Sequence, residues 1–424
     1  MVSKLYELFF SPTGRSAATV FTGNLISALL GFIALTLISR SLGPEGFGNF
    51  SILTAIIVIL AGITDFGIGS AFVNKYSSTK DPSTKKSLVS LIIKAELLIG
   101  VLIIALGFLI TPIISDWLSI KDPSAEFLVR ISFIGAAFTS TNAIVFMILQ
   151  ARKRFLTYSL INIFLSSFKL LAVVVLLLVG ILGLYNSIIV YSLAPIFGLV
   201  LGLTLVRPIF IKFKDSRESA LAVEMFHFSK WVMLSFLATA ISGRLELFII
   251  QFFKGSHDVG IYSAAFQFAL GFSLLFAAIS TVFLPRLSEI KGKENFIKSA
   301  KKVFQASSVL AVASLPLFFL SGTLMNFFFG DKYIESASIF NVLLIGYVLA
   351  LYTAPISVYF YAWRKPKVLT GLNYIQLLVA LTLNLLLVPK FGAVGGAFAW
   401  LASSLIGIPY LIYFFVKHLY TMEK

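Results

Sequence analysis

The chain has 424 residues, 58% hydrophobic and only 12% charged, with a net charge of +16 and no cysteine. A soluble domain carries about 25% charged residues, and with a mean hydropathy of +0.97 this chain has too little polar surface to cover a soluble core. Disulfide and thiol chemistry are excluded with cysteine, and the excess of basic residues leaves an anionic partner, a nucleic acid or a membrane topology signal to be told apart.

The polar start, Met1 to Ser16, runs straight into an apolar segment without an A-x-A-type site, so it does not read as a cleavable signal. Twelve apolar segments follow, each near the roughly 20 residues that a spanning helix needs. They cover about 17–39, 47–72, 88–114, 127–149, 156–179, 184–206, 231–253, 259–284, 303–329, 336–361, 367–388 and 393–416. Short joins follow the first, fifth, seventh and eleventh segments, marked by turn residues such as Gly43-Pro44 and Pro389. Residues 207–230, with Lys212, Lys214, Asp215, Arg217 and Glu218, are too few for a soluble domain and predict a short interfacial helix near 215–227. The expected architecture is an all-α membrane protein of twelve transmembrane helices. Residues 1–206 form one six-helix bundle, 207–230 a cytoplasmic linker and 231–424 a second bundle.

The basic residues are not spread evenly. With the N-terminus in the cytoplasm, 25 Lys and Arg fall on inner segments. Only Arg40, Lys121, Lys254, Lys332 and Lys390 fall on outer loops. Such a bias is the positive-inside rule. It accounts for the charge without nucleic acid, and it places both termini on the cytoplasmic side of the inner membrane.

The chain also repeats itself. The pattern G-x-x-x-[FV]-G-x-[FY]-S occurs at Gly43 to Ser51 and again at Gly255 to Ser263, displaced by 212 residues. Leu176 to Gly183 pairs with Leu385 to Gly392 at a displacement of 209, and Ala151 to Arg154 with Ala362 to Lys365 at 211. Three matches near one displacement indicate a duplicated unit. Six spans per unit is an even number, so both halves enter the membrane in the same direction and are expected to be related by a pseudo-two-fold along the membrane normal. Duplicated bundles of this kind are the usual build of alternating-access transporters.

Ser39 to Gly48 resembles the first-loop signature of the polysaccharide-biosynthesis flippase family, within the multidrug/oligosaccharidyl-lipid/polysaccharide exporter superfamily. Thr64 to Ala71 resembles that family's second-helix ending. Leu245-Glu246-Leu247, Gly255 to Ala265 and Pro285 to Ser288 resemble its seventh and eighth helices, and Phe329 to Tyr333 and Asn384 to Ala397 its later landmarks. One departure is Glu246, where the family often has Asp. The resemblance spans nearly the whole chain and implies export of a lipid-linked oligosaccharide, without naming the sugar.

Ionisable groups inside the membrane cost about 2.5–3.5 kcal/mol each at a helix centre and mark functional sites. Seven fall within the predicted spans: Asp65, Lys94, Glu96, Arg130, Lys169, Arg244 and Glu246. Arg130, Lys94 and Glu96 lie nearer helix ends, where snorkelling to the interface competes with a functional role. Lys169 is deeper, on a stripe with Ser159, Asn162 and Ser166 at helical spacing, and such a stripe faces protein or water. Ser235, Thr239, Ser242 and Glu246 repeat that spacing. Arg244 stands about 200° from Glu246 on a straight helix, so the two are not expected to pair. Asp65 shares a small-residue face with Gly62 and Gly69. At the 212 displacement Asp65 meets Ala277, Lys94 meets Ala306, Arg244 meets Phe32 and Glu246 meets Ala34. The scaffold is duplicated and these charges are not, which favours specific roles over a general need of the fold. A structural ion pair of Lys169 with Asp65 or Glu246 is the competing explanation.

The leading expectation is a flippase that moves a polyprenyl-diphosphate-linked oligosaccharide across the membrane by alternating access. Lys169 and Arg244, with Arg130 and Lys94, are the expected substrate-binding cations. Glu246 and Asp65 are the cavity acids, with a proton or sodium ion as the coupling ion if a gradient drives transport. Membrane lipid and glycan-assembly membrane proteins are the other expected partners. The nearest rival is a drug or metabolite exporter of the same superfamily, with Asp65 and Glu246 holding a cationic cargo. A membrane polymerase or ligase fits less well, because the longest outer loop, about 115–126, leaves little room for glycosyl transfer. No metal-ligand cluster, phosphate loop or nucleophile constellation appears, so neither a cofactor nor enzyme activity is expected. Trp231, Trp363 and Trp400 read as interfacial anchors.

Overall fold

The computed structural model describes residues 12–64, 67–118, 124–206, 217–271, 293–362 and 366–421. Among these the regular structure is helical throughout. Hydrocarbon offers no water to satisfy backbone groups, and a helix satisfies its own. In chain order the helices are α1 (Pro12–Thr64), α2 (Ile68–Ser78), α3 (Pro82–Leu118), α4 (Ala125–Ala151), α5 (Phe155–Leu178), α6 (Leu184–Val206), α7 (Glu218–Ser242) and α8 (Leu245–Lys254). Then come α9 (256–271), α10 (Lys293–Phe319), α11 (Ser321–Phe329), a 3-10 turn at Asp331–Tyr333, α12 (Ser336–Ala362) and α13 (Pro366–Thr421).

Eight described helices are long and apolar enough to cross a membrane, or nine if α10 and α11, bent by 70°, form one span. The chain is a multi-pass membrane protein. Two of the eight, Gly14–Ile63 and Lys367–Lys417, have 50 and 51 residues. At 1.5 Å per residue each is about 75 Å long, more than twice a hydrocarbon core of about 30 Å. Lys367–Lys417 holds two of the predicted segments, Gly14–Ile63 holds the first and most of the second, 47–72, and each breaks where the two were expected to join. Gly43 interrupts α1 at φ 67° and Gly392 interrupts α13 at φ 58°. A side chain is strained in that region and glycine is not.

Positive-φ glycines also test the register of the repeat. Gly43 and Gly255 are 212 apart, and so are Gly180 and Gly392, all four with positive φ. The sequence match had paired Gly183 with Gly392 at 209. Backbone conformation instead pairs Gly180 with Gly392, so one displacement serves both turns.

The described chain forms two compact units. The first comprises Met1–Leu42 and Asn49–Ala240; the second comprises Gly43–Gly48 and Ile241–Lys424. In the first, α4 packs against α3 and α6, and α5 against α6. Its core gathers Phe72, Leu88, Ile92, Val145, Ile148, Ile161 and Val206, joined by Leu221 and Met225 of α7. In the second, α13 packs against α12 and α8, with Phe360, Leu369, Leu372 and Leu411 in one cluster. The short stretch Gly43–Gly48 belongs here because it lies on the start of α9. A Cβ on Gly48 would stand 1.8 Å from the Ser256 carbonyl oxygen, and one on Gly260 would stand 1.9 Å from that of Pro44. Both relations shift by 212, so the two copies of the motif cross each other reciprocally.

Two expectations change. The predicted interfacial helix does start near 215–227, but α7 continues from Glu218 to Ser242 and merges with the seventh span. That span is then broken at Gly243 and Arg244 before α8 begins. Trp400 packs on Tyr347 with ring centroids 5.0 Å apart. The linker residues 207–216, the Pro285 to Ser288 landmark and the second basic turn at 363–365, with Trp363, lie outside the described residues.

Candidate functional site

In the first unit the polar stripe of α5 faces α1. Gly23 has no side chain, and a Cβ there would meet Ser159 at 2.5 Å, so the two helices close tightly. Ser159 Oγ donates to the Thr19 carbonyl at 3.1 Å, and Asn162 Nδ2 donates to Asn24 Oδ1 at 3.1 Å. Two turns further on, Lys169 leaves this seam. Its Nζ sits 5.0 Å from the centroid of the Tyr191 ring on α6, and Phe50 meets the same ring edge-on at 5.0 Å. A cation over an aromatic face is stabilised by about 0.5–2 kcal/mol. Among the described residues no carboxylate pairs with Lys169. Asp65, its suggested partner, lies outside them.

In the second unit the break between α7 and α8 sets the geometry. Arg244 is the residue before α8, with φ −141°, and its guanidinium lies 5.2 Å from the Phe266 ring centroid on α9. Glu246 follows in the first turn of α8 and is 3% exposed. Because the helix is interrupted, the 200° separation computed for a straight one does not hold. Arg244 and Glu246 interact electrostatically, together with Tyr262 of α9 and Tyr347 of α12. Behind them α13 comes close. A Cβ on Gly396 would lie 3.5 Å from the Tyr262 ring and 3.6 Å from Asn384 Oδ1. Among the described residues, Glu246 Oε1, the Tyr262 hydroxyl and Asn384 Oδ1 are buried without a hydrogen-bond partner. Four elements therefore bring one cation, one carboxylate and neutral polar groups together inside the unit.

Lys94 and Arg130 sit elsewhere. Lys94 donates to both Glu218 oxygens, at 2.9 and 2.7 Å. Arg130 pairs with Glu126 one turn away at 2.8 Å and lies over the Phe108 ring at 5.6 Å. Glu96 corrects the expectation that it snorkels. It is 1% exposed and accepts a 2.6 Å hydrogen bond from Ser140 Oγ on α4. Position near a helix end suggested an exit to the interface, but the residue faces the α3–α4 packing surface. Tyr262, Tyr347 and Asn384 were missed as site residues: Tyr262 sits in the second copy of the repeated motif and Asn384 opens a family landmark, but neither position by itself points to a partner of Arg244 or Glu246.

The basic turn after α4 is also structural. Arg152 donates to the Val206 carbonyl and Arg154 to the Leu205 carbonyl, the latter at 2.9 Å. Both groups satisfy C-terminal carbonyls of α6 and complement the negative end of its dipole.

The model of the family described as polysaccharide biosynthesis protein matches residues 13–291. The chain belongs to that family. A relative named as an O-antigen transporter of Shigella flexneri is 26% identical over 401 residues, covering 89% of this chain and 91% of its own. Among solved structures, the lipid II flippase MurJ in an inward closed conformation superposes with a TM-score of 0.77 at 18% identity, over 95% of this chain and 89% of its own. An inward-facing multidrug resistance transporter of the MATE family gives 0.74 at 14% identity, over 93% and 95%. At such identities these two establish the fold. For this polysaccharide biosynthesis family member, the shared fold holds Lys169 in one unit and the Arg244–Glu246 cluster in the other.

Proposed function

We propose that this protein is a flippase that carries a polyprenyl-diphosphate-linked oligosaccharide across the cytoplasmic membrane by alternating access. The observation that carries the reading is Lys169, a cation deep within a spanning helix that meets an aromatic ring and, among the described residues, no carboxylate. A cation kept in hydrocarbon at a cost of about 2.5–3.5 kcal/mol is suited to an anionic cargo that supplies the missing charge. Arg244, laid over Phe266, is the second anion-attracting group, and Lys94 and Arg130, each held by a carboxylate, are peripheral ones. The family and the O-antigen transporter relative supply the cargo class.

Two crossings each for α1 and α13 support a twelve-helix topology. The others are one each for α3 to α6, α7 with α8, α9, α10 with α11, and α12. The repeated glycine turns support two six-helix halves, 1–206 and 231–424, joined by 207–230 and inserted in the same direction with both termini cytoplasmic. Glu246 and Asp65 are the candidate acids for coupling to a proton or sodium ion. The protein acts by transport rather than catalysis, alongside glycan-assembly membrane proteins.

One feature favours a second reading. Glu246 is a buried acid, which would suit an exporter of cationic drugs or metabolites. Gene deletion in the native host separates the two. The strain is complemented with wild type, Lys169→Ala or Glu246→Ala at matched membrane abundance, and the lipid-linked repeat is quantified on each leaflet. The flippase reading expects the repeat to accumulate on the cytoplasmic side in the deletion and in Lys169→Ala. Unchanged glycan and lipid-linked pools in the deletion strain would refute it and leave the cation exporter.

A further inference from the structure

The first unit contains a cavity of about 430 Å³ away from Lys169 and on the flank of α7. Its size falls within the roughly 300–1,000 Å³ typical of ligand pockets. Every described lining residue is apolar. Leu91, Ile92 and Ala95 come from α3, Ala222, Met225, Phe226 and Met233 from α7, and Ile68 from α2. Phe226 is 60% exposed at the rim, and the neighbouring face of α3 presents Leu98, Val101 and Leu102 outward. The cavity is thus continuous with a surface that faces bilayer hydrocarbon.

Among the described residues, three cations near it, Lys94, Lys75 and Arg217, are already paired. Lys94, next to Ala95, pairs with Glu218, and Lys75 pairs with Glu224. Arg217 pairs with Asp81 at 3.5 Å and bonds Ser83. These three contacts clamp the first turns of α7 against α2 and α3 and hold the pocket open between them. A phospholipid bound here would bring its phosphate to the same rim, where Lys94, Lys75 and Arg217 already have carboxylates. A long polyprenyl chain whose diphosphate is held elsewhere asks only for an apolar wall.

We propose that this pocket binds a segment of the polyprenyl tail of the lipid-linked cargo, separately from the groups that attract its diphosphate. The inference rests on the flippase reading for its ligand. Lipid is as apolar as the pocket, so binding draws on packing and shape rather than on the hydrophobic effect. Filling the cavity should therefore abolish it without removing any charge.

The test uses the full-length protein in lipid nanodiscs and a polyprenyl diphosphate carrying a photoreactive diazirine on its chain. Labelled peptides are mapped by mass spectrometry. Label is expected on the α3 segment at Leu91 to Ala95 and the α7 segment at Ala222 to Met233, and it should be competed by unlabelled polyprenyl diphosphate. Ala222→Phe and Ala95→Phe fill the pocket from opposite walls. Each should lose that label, and two variants guard against misfolding of one. Label scattered over the lipid-facing surface, or retained in both variants, would overturn the proposal. So would an acyl-diazirine phospholipid that labels these segments equally well and competes with the polyprenyl probe. Complementation reports separately on the flippase reading. Transport without pocket label refutes the tail site alone, and pocket label without any effect of deletion on lipid-linked pools refutes the cargo assignment alone.

Discussion

The reciprocal glycine crossing between Gly43–Gly48 and the start of α9 makes a demanding prediction. In Gly48→Ala the new Cβ would stand 1.8 Å from a backbone oxygen, against a floor of 3.0 Å seen for real Cβ contacts. The Ser256 backbone must therefore retreat by at least 1.2 Å, the difference of those two values. Overpacking of this kind costs about 1–3 kcal/mol, with the upper end expected because the obstacle is main chain. Alanine in a helix recovers at most about 1 kcal/mol of propensity. Gly260→Ala presses on Pro44 in the same way and should cost as much. The double variant should lose less than the sum, since both substitutions strain one crossing. Gly31→Ala is the control, because a Cβ there meets nothing within 4 Å, and it should be neutral or slightly stabilising. Thermal unfolding of the purified protein in one detergent, followed by intrinsic fluorescence, ranks the four variants. If Gly48→Ala and Gly260→Ala melt together with Gly31→Ala, the crossing is not a close backbone contact and the reasoning fails.

Other expectations concern charges. Asp81 starts α3, and its carboxylate accepts from the hydroxyls and backbone N–H groups of Ser83 and Thr84, with Pro82 at the first helical position. Those bonds, the Ser83 hydroxyl first, hold its carboxyl well below the usual carboxylate range. A depressed folded value means that the cap contributes fully above the unfolded pKa of about 3.9 and is lost as pH falls through the folded one. Hydrogen exchange at the start of α3 should quicken only in that acid window, and Asp81→Asn, still a good cap, should flatten the response. Lys94 and Glu218 are 30% and 14% exposed. A double-mutant cycle with Lys94→Met and Glu218→Gln should give a coupling of about 1 kcal/mol or less, reduced by salt; a coupling of zero would release α7 from its proposed clamp. Glu96→Ala removes the buried hydrogen bond from Ser140 Oγ and should destabilise by about 1–3 kcal/mol, while Glu96→Gln should cost less in the same unfolding assay. Equal losses would show that the buried charge, rather than the hydrogen bond, matters there.

How much of this was visible in the residues depends on the range of the interaction involved. Hydropathy is a property of each segment, so the eight apolar spans of the described residues, nine with the bent pair, could be located, and a turn that needs positive φ leaves its mark as glycine. Gly43 and Gly392 thus divided two long helices that continuous hydrogen bonding otherwise runs together. The side-chain partnerships were different. Glu96 looked like a residue free to reach the interface until α4 placed Ser140 beside it. Arg244 and Glu246 were separated by helical geometry that Gly243 and Arg244 themselves interrupt. Lys94 found Glu218, 124 residues away. Each of these depends on packing between elements distant in the chain, which a local period does not encode.

The same division separates the charges by role. Lys94, Arg130, Arg152 and Arg154 each meet a carboxylate or helix carbonyls, so their cost is offset within the fold. Lys169 has only a ring among the described residues, and burying a cation against a ring recovers less than an ion pair with hydrogen bonds would. A charge left underpaid by its own fold is informative in hydrocarbon, because replacing it should make folding easier. Lys169→Met is therefore expected to melt no lower than wild type while failing to restore export. Loss of stability together with function would instead assign Lys169 to the scaffold and remove the observation on which an anionic cargo rests.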